Sequence, residues 1–297
     1  MGVGMMGSML VSVSELACIY SLVTLGLVFS FRMVGFADLT IESSFTTGAA
    51  VSAILVSAGN CSPIYALFAA GGIGAIAGVC TALLHVKGKI SRLLSGIIMM
   101  TVLYSINLQI MGRSNIQLLS SNSIFSMMHP EWRHFYLLLL AFSLFALAFL
   151  LLKTHFGYLL RACGESAQVV CKLGYNTELL LVVALALANS LTAFSGALAA
   201  QYFGYSDIGM GTGLIVTSLA ALILGEAVCS PRTLSRLLLA TFLGTILYRL
   251  AFEIGLRMNI HPWNLKIVVG LLLAAALVIK RVLSKRRTQL LVGVEGL

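Results

Sequence analysis

The 297-residue sequence is 59% hydrophobic and only 10% charged, with a mean hydropathy of +1.01. Soluble domains carry about 25% charged residues, so this chain lacks the polar surface to clothe a water-soluble globule, and lipid must solvate much of it. The formal charge of +9 fits Lys and Arg gathered on one side of a membrane better than a nucleic-acid surface, and no sizeable soluble domain fits beside the apolar runs.

A spanning helix needs about 20 mostly apolar residues at a rise of about 1.5 Å each. Apolar runs between polar punctuation predict an all-α polytopic bundle of about nine segments (8–10 fit the length). In chain order they are Leu10–Phe31, Phe45–Ala58, Ile64–His85, Leu93–Gly112, Phe135–Leu152, Leu179–Phe203, Leu214–Cys229, Leu237–Ile254 and Leu265–Ile279. No Lys or Arg precedes Arg32, so the first segment lacks the basic leader of a cleaved signal peptide and is expected to stay. The second is too short to cross as one straight helix and is expected to work with the irregular stretch before it.

The basic residues predict an orientation. Arg32, Lys87, Lys89, Arg92, Lys153, Arg161, Lys172, Arg232, Arg236, Lys280, Arg281, Lys285, Arg286 and Arg287 fall on one side. Arg113, Arg133, Arg249, Arg257 and Lys266 fall on the other, a 14-to-5 division of the 19. The positive-inside rule then places the N-terminus outside and the basic 280–297 tail in the cytoplasm.

Between the spans, small and polar residues mark contact faces. Gly71-Gly72-x-Gly74-x3-Gly78 contains a GxxxG, which permits close helix approach. Thr101, Ser105, Gln109 and Gly112 form one stripe, and Asn189, Thr192 and Gly196 another. Interhelical packing and a water-lined path both fit these stripes.

Three polar features interrupt the apolar pattern. The stretch Phe36–Gly48 holds Asp38, Glu42 and five hydroxyl residues. It reads either as a solvated turn or as a break in the second transmembrane element, which membrane depth tolerates only inside protein or beside water. Asp38 and Glu42 would share a face if the stretch were helical. The loop Gly157–Asn176 is the longest on the basic side and reads as a short amphipathic helix ended by Gly174. Its apolar positions are Leu160, Cys163, Ala167, Val170 and Cys171, with Arg161, Glu165, Gln168 and Lys172 on other faces. It fits either a helix resting on lipid headgroups or a docking surface for a soluble partner. The third feature is a set of acids near the membrane: Asp207, Glu226 and Glu253. An intramembrane ionisable group is a functional candidate; Glu226 fits an ion pair with nearby Arg232 or an interfacial position, with a proton relay as the alternative.

The six cysteines (Cys18, Cys61, Cys80, Cys163, Cys171, Cys229) form no CxxC pair and read as buried small hydrophobes. His85, His129, His134, His155 and His261 show no metal-ligand spacing. No phosphate loop, GxSxG or HExxH is present, so the chain reads as a non-enzyme.

The order of these pieces resembles a known family. A DLT segment is followed by a Gly/Ala helix, the basic turn His85-Val-Lys-Gly-Lys, and a helix ending Tyr104-Ser-Ile-Asn-Leu-x-Ile-Met-Gly-Arg113. Then come Gly157-x3-Arg-Ala-x-Gly-Glu165, Leu173-Gly-Tyr-Asn-Thr177, Ser195-Gly-Ala-Leu-x-Ala-Gln-Tyr202, Gly209-Met-Gly-x-Gly213, Leu224-Gly-Glu226 and Gly244-x3-Tyr-Arg249. The pattern, from about Leu16 to Ile279, is similar to the permease subunit of bacterial ABC importers for branched-chain amino acids and simple sugars, nearest the tryptophan/tyrosine-type branch.

The resemblance implies a single permease domain over 1–297 with a type II-like arrangement. It also implies a second permease copy, two ABC ATPase subunits that hold the ATP and Mg, and an extracytoplasmic substrate-binding lipoprotein. The chain would sit in the bacterial inner membrane with no cofactor of its own. Gly157, Arg161, Gly164, Glu165, Lys172 and Gly174 would meet the ATPase as a coupling helix. Asp38, Glu42, Ser105, Asn107, Gln109, Asn189, Gln201 and Tyr202 are the candidate path residues. An ion-coupled secondary transporter is the alternative, since it too needs broken helices and midplane polar groups.

Overall fold

The computed structural model describes residues 2–57, 62–118, 123–127, 132–231 and 233–258, with isolated positions 267 and 270. The predicted segment Leu265–Ile279, the 280–297 tail and Arg232 lie outside the described residues, the two isolated positions apart.

The elements, in chain order, begin with α1 (Gly2–Leu27), which runs on into a π-helical turn (Val28–Met33), and α2 (Thr40–Ser57). Next come α3 (Pro63–Val86), α4 (Arg92–Met111), β1 (Asn115–Gln117), α5 (Ile124–Met127) and α6 (Arg133–Lys153). The second half holds α7 (His155–Glu165), α8 (Ala167–Lys172), α9 (Thr177–Phe203), β2 (Tyr205–Asp207), α10 (Leu214–Cys229) and α11 (Leu234–Arg257). Six stretches are long and apolar enough to cross a membrane: Met9–Met33, α3, α4, α6, α9 and α11. Two shorter helices, α2 and α10, join them in the bundle. The six long spans and two short ones correspond to the first eight predicted segments.

The punctuation residues set the boundaries. Ser62 accepts the Tyr65 N–H and puts Pro63 at the first helical position, where its missing N–H costs nothing. Ser91 caps α4, and Asn176 caps α9 by accepting from the Glu178 and Leu179 amides at 3.0 and 3.1 Å. Gly112 and Gly204 end α4 and α9 in the left-handed conformation. Beyond them β1 and β2 pair antiparallel, with Ile116 opposite Ser206.

α9 is the axis of the bundle, with α1, α2 and α3 packed around it. Small residues allow this. A Cβ on Gly48 would overlap the Ala193 carbonyl, one on Gly78 the Leu185 carbonyl, and one on Gly196 the Phe45 carbonyl. The predicted GxxxG is thus used through Gly74 and Gly78, both seated on α9. Polar residues add cross-helix bonds: the Ser195 hydroxyl donates to the Ile19 carbonyl at 2.6 Å.

The bundle has two ends. One carries α7 and α8, together with Met33, Gly35, Arg92 and Leu234; this is the α7 face. The other carries β1, β2, α5 and the start of α6; this is the β face. α2 begins at Thr40 rather than near Phe45, because the six residues after Met33 run without helix and turn the chain back into the bundle.

Candidate functional site

The break between α1 and α2 is the first candidate. The Arg92 guanidinium donates to the Gly35 carbonyl at 3.0 Å and holds the turn against the start of α4. Asp38 follows in the extended stretch and is 1% exposed. Its Oδ1 accepts the Thr40 N–H at 2.9 Å, which starts α2, and its Oδ2 accepts the Asn189 side-chain amide at 2.7 Å. Asn189 in turn accepts from the Ser44 hydroxyl at 2.6 Å and donates to the Leu185 carbonyl. Thr40 meets Thr81 of α3 at 3.0 Å. This network joins the break, α2, α3 and α9, and both carboxylate oxygens of Asp38 are engaged. Asp38 lies before the helix, so it does not share a helical face with Glu42.

Glu42 stands one turn further on and is half-buried. Its Oε1 accepts the Gly213 and Ile215 N–H groups at 3.0 and 3.3 Å, two of the orphan amides at the start of α10. The Thr46 hydroxyl accepts the Gly211 N–H at 3.2 Å, and a Cβ on Gly211 would overlap the Glu42 carbonyl. The Gly209-Met-Gly-x-Gly213 motif therefore lets the linker from β2 lie directly on α2. On the other side, the Ser43 hydroxyl donates to the Met100 carbonyl of α4 at 2.9 Å, and the Asn107 amide donates to the Ser43 carbonyl at 3.2 Å. Asn107 is fully buried, and its Oδ1 finds no donor among the described residues. Ser105 and Gln109, with Thr101, are exposed on α4.

Gln201 and Tyr202 are placed differently, at the β face. The Gln201 amide donates to the Ser52 hydroxyl at 3.0 Å and the Pro63 carbonyl at 3.1 Å, and its oxygen accepts the Ile124 N–H of α5 at 3.1 Å. The Tyr202 hydroxyl donates to Glu15 of α1 at 2.9 Å. The Arg133 guanidinium lies over the Phe125 and Tyr202 rings, 4.6 and 4.3 Å from their centroids, and pairs with Glu15 at 3.8 Å. Sequence reasoning missed Glu15 and Arg133 as partners. The available signal was a lone acid inside the first apolar run, which requires a counter-charge.

At the α7 face, the predicted single amphipathic helix is two helices with a break at Ser166, whose extended backbone ends α7. Leu160, Cys163 and Val170 are buried against the bundle, while Ala167 and Cys171 are exposed. Burial pushes the Cys163 thiol up in pKa, with Arg92 pulling the other way. Gly157 makes the tight corner on Leu152, and a Cβ on Gly164 would overlap the Met33 carbonyl, so α7 is seated on the end of α1. Arg161 folds back, donating to the Gly157 and Leu152 carbonyls at 3.3 and 3.4 Å. Glu165 and Lys172 are exposed, and Gly174 turns the chain at φ +86°. Four large apolar side chains also point outward here: Tyr158, Val169 (55% exposed), Leu173 (67%) and Tyr175.

The remaining acids are tied locally. Glu226 pairs with Arg32 at 3.5 Å, a partner from the end of α1, and Glu253 pairs with Arg257 at 3.8 Å. Asp207 accepts the Gly209 N–H at 2.8 Å and the Asn115 amide at 3.4 Å. Among the described residues no group of three or more His, Cys, Asp or Glu is placed to hold a metal ion.

Comparison with known proteins places this architecture. A family model described as branched-chain amino acid transport system / permease component matches residues 9–277. The tyrosine transport system permease protein of Clostridioides difficile is 35% identical over 271 residues, 90% of each chain. An uncharacterized protein of Rickettsia prowazekii is 30% identical over 274 residues, 91% of this chain and 97% of its own. The autoinducer 2 import system permease protein of Escherichia coli is 31% identical over 132 residues, covering 44% of this chain and 38% of its own. No solved structure matches. With a family match that runs from the middle of α1 past the end of α11, this multi-pass membrane chain belongs to the branched-chain amino acid transport permease family.

Proposed function

We propose that this permease is the transmembrane subunit of an ATP-driven importer of amino acids, aromatic ones favoured, working by alternating access between two copies of the chain. The observation that carries this reading is the outward apolar set Tyr158, Val169, Leu173 and Tyr175 on α7–α8, beyond the ends of α6 and α9. A soluble partner seated on α7–α8 would bury these side chains. In this reading the α7 face is cytoplasmic, residues 157–176 form the coupling loop, and 280–297 is the basic tail of a single permease domain. Two ABC ATPases, holding ATP and Mg, press on α7–α8, with Glu165 and Lys172 as exposed charged contacts. Gly157, Gly164, Arg161 and Gly174 shape the loop and seat it on α1. The force therefore passes through Gly164 and Met33 into α1 and the break that precedes α2.

The translocation path in this reading runs along α2 and α4. Glu42, Ser105, Gln109 and Asn107 contribute to it, and α4, which exposes most of its surface, meets the second copy. Asp38 and Asn189 hold the break that shapes the inner end of the path. Gln201 and Tyr202 anchor its outer end, where an extracytoplasmic binding lipoprotein delivers substrate. The chain itself performs no catalysis, and its home is a bacterial inner membrane with the N-terminus outside. The tyrosine transport permease relative supports the aromatic amino acid as cargo.

The test is affinity purification of the full chain from its native membrane. An ATPase with a Walker motif is expected to co-purify and to be lost from a Leu173→Asp variant. Transport driven by an ion gradient with no ATPase bound would overturn the reading.

A further inference from the structure

Glu42 carries more than a structural role, and the reason lies in its second oxygen. Oε1 is committed to the Gly213 and Ile215 amides, whereas Oε2 makes no hydrogen bond among the described residues. No Lys, Arg or His pairs with Glu42 among the described residues either. The position is deep. Ser43 bonds the Met100 carbonyl and receives Asn107, residues that stand about 12 to 22 Å along α4 from Arg92 at about 1.5 Å per residue. That is the middle of the span, where an ionised carboxylate without a cation is costly and marks function.

The surroundings favour a positive guest. α2 stands between α4, which it meets through Ser43, and the start of α10, which it meets through Glu42. Thr212 and Val216 are exposed on the α10 side, and Thr101 and Ser105 are exposed on α4. The Asn107 carbonyl oxygen, buried between α2 and α4, accepts from no donor among the described residues. A carboxylate oxygen left open, with no cation paired to it among the described residues, asks for a compact donor that carries positive charge. A primary ammonium group has three donors and one charge, and it fits.

We propose that Glu42 recognises the ammonium group of the transported molecule through its free Oε2, while Oε1 keeps the start of α10 closed. The site therefore selects solutes with a primary amine and rejects their desamino analogues. Its place in transport rests on the importer reading, but binding does not require the ATPase, so the two fail separately.

The full chain in lipid nanodiscs is titrated with tyramine, tyrosine and 3-(4-hydroxyphenyl)propionate by saturation-transfer NMR. Tyramine and tyrosine are expected to bind. The desamino acid is expected to bind at least about tenfold more weakly, a difference of about 1.4 kcal/mol. Glu42→Gln, which keeps an oxygen for the α10 amides, is expected to abolish that preference. Equal binding of tyramine and the desamino acid, no binding of tyramine by the wild-type chain, or displacement of tyramine by sodium ions at equal charge would each overturn the proposal. The comparison within the wild-type chain stands even if the variant does not fold.

Discussion

Asp38 and Glu42 are two carboxylates one helical turn apart in sequence, and the fold treats them in opposite ways. Asp38 is sealed: Thr40 and Asn189 take both of its oxygens, and the residue is buried. Glu42 is half-sealed, with one oxygen on the start of α10 and the other without a hydrogen bond among the described residues. The same residue type therefore serves as mortar in one place and as an open site in the other. What separates them is how two accepted hydrogen bonds are distributed, one on each oxygen of Asp38 and both on a single oxygen of Glu42. A carboxylate whose oxygens are all bonded is part of the scaffold, whereas one with a spare oxygen at membrane depth is available to a ligand.

Substitutions break the pair apart in a defined order. Asp38→Asn is expected to be the most damaging, because its NH2 group must face either the Thr40 amide or the Asn189 amide, donor against donor. A buried donor left unpaired costs about 1–3 kcal/mol, so thermal unfolding in detergent should fall by about 2 kcal/mol. A wild-type melting profile for that variant would mean the network is not what holds the break. Tyr202→Phe tests a sealed carboxylate at the other end. It removes the hydroxyl on Glu15 but leaves the ring under Arg133, and about 1 kcal/mol is the expected loss. The two substitutions lie far apart, so their effects should add.

Glu42→Gln gives the smallest stability change of the three. The amide oxygen still accepts from Gly213 and Ile215, and only the charge–dipole contribution of about 0.5 kcal/mol is lost. Retained stability with lost amine preference sharpens the contrast with Asp38, where stability itself is lost. A Glu42→Gln chain as unstable as Asp38→Asn would erase the distinction.

Much of this arrangement was legible in the sequence. Apolar run lengths gave the first eight segments, because the demand for about 20 residues per span is a strong constraint. Gly74 and Gly78 announced their contact, and the DLT stretch announced a break. The partners were harder to read. Arg32 from the end of α1 sits on Glu226, and Arg133 with Tyr202 sits on Glu15, since sequence distance says little about which spans become neighbours. Asp38 and Glu42 looked equivalent for the same reason: their separate fates depend on Asn189 and Gly213, more than 150 positions away. The break at Ser166 was also hidden, because Leu160, Cys163 and Val170 keep helical spacing across it.

The contrast between sealed and open recurs on α7 and α8, in two thiols. Cys163 is buried, and its pKa is raised by burial against the opposing pull of Arg92; Cys171 is exposed. The thiolate is the reactive form, so a raised pKa leaves little of it at neutral pH. Single-cysteine variants that keep one or the other should separate cleanly with a maleimide at pH 7, Cys171 labelling fast and Cys163 slowly. Raising the pH should speed Cys163 about tenfold per unit until its raised pKa is passed. Cys171 lies beside the outward-pointing Val169 and Leu173. A bound ATPase should therefore shield Cys171 while leaving Cys163 as slow as before, and equal labelling of Cys171 with and without the ATPase would separate this patch from the coupling surface.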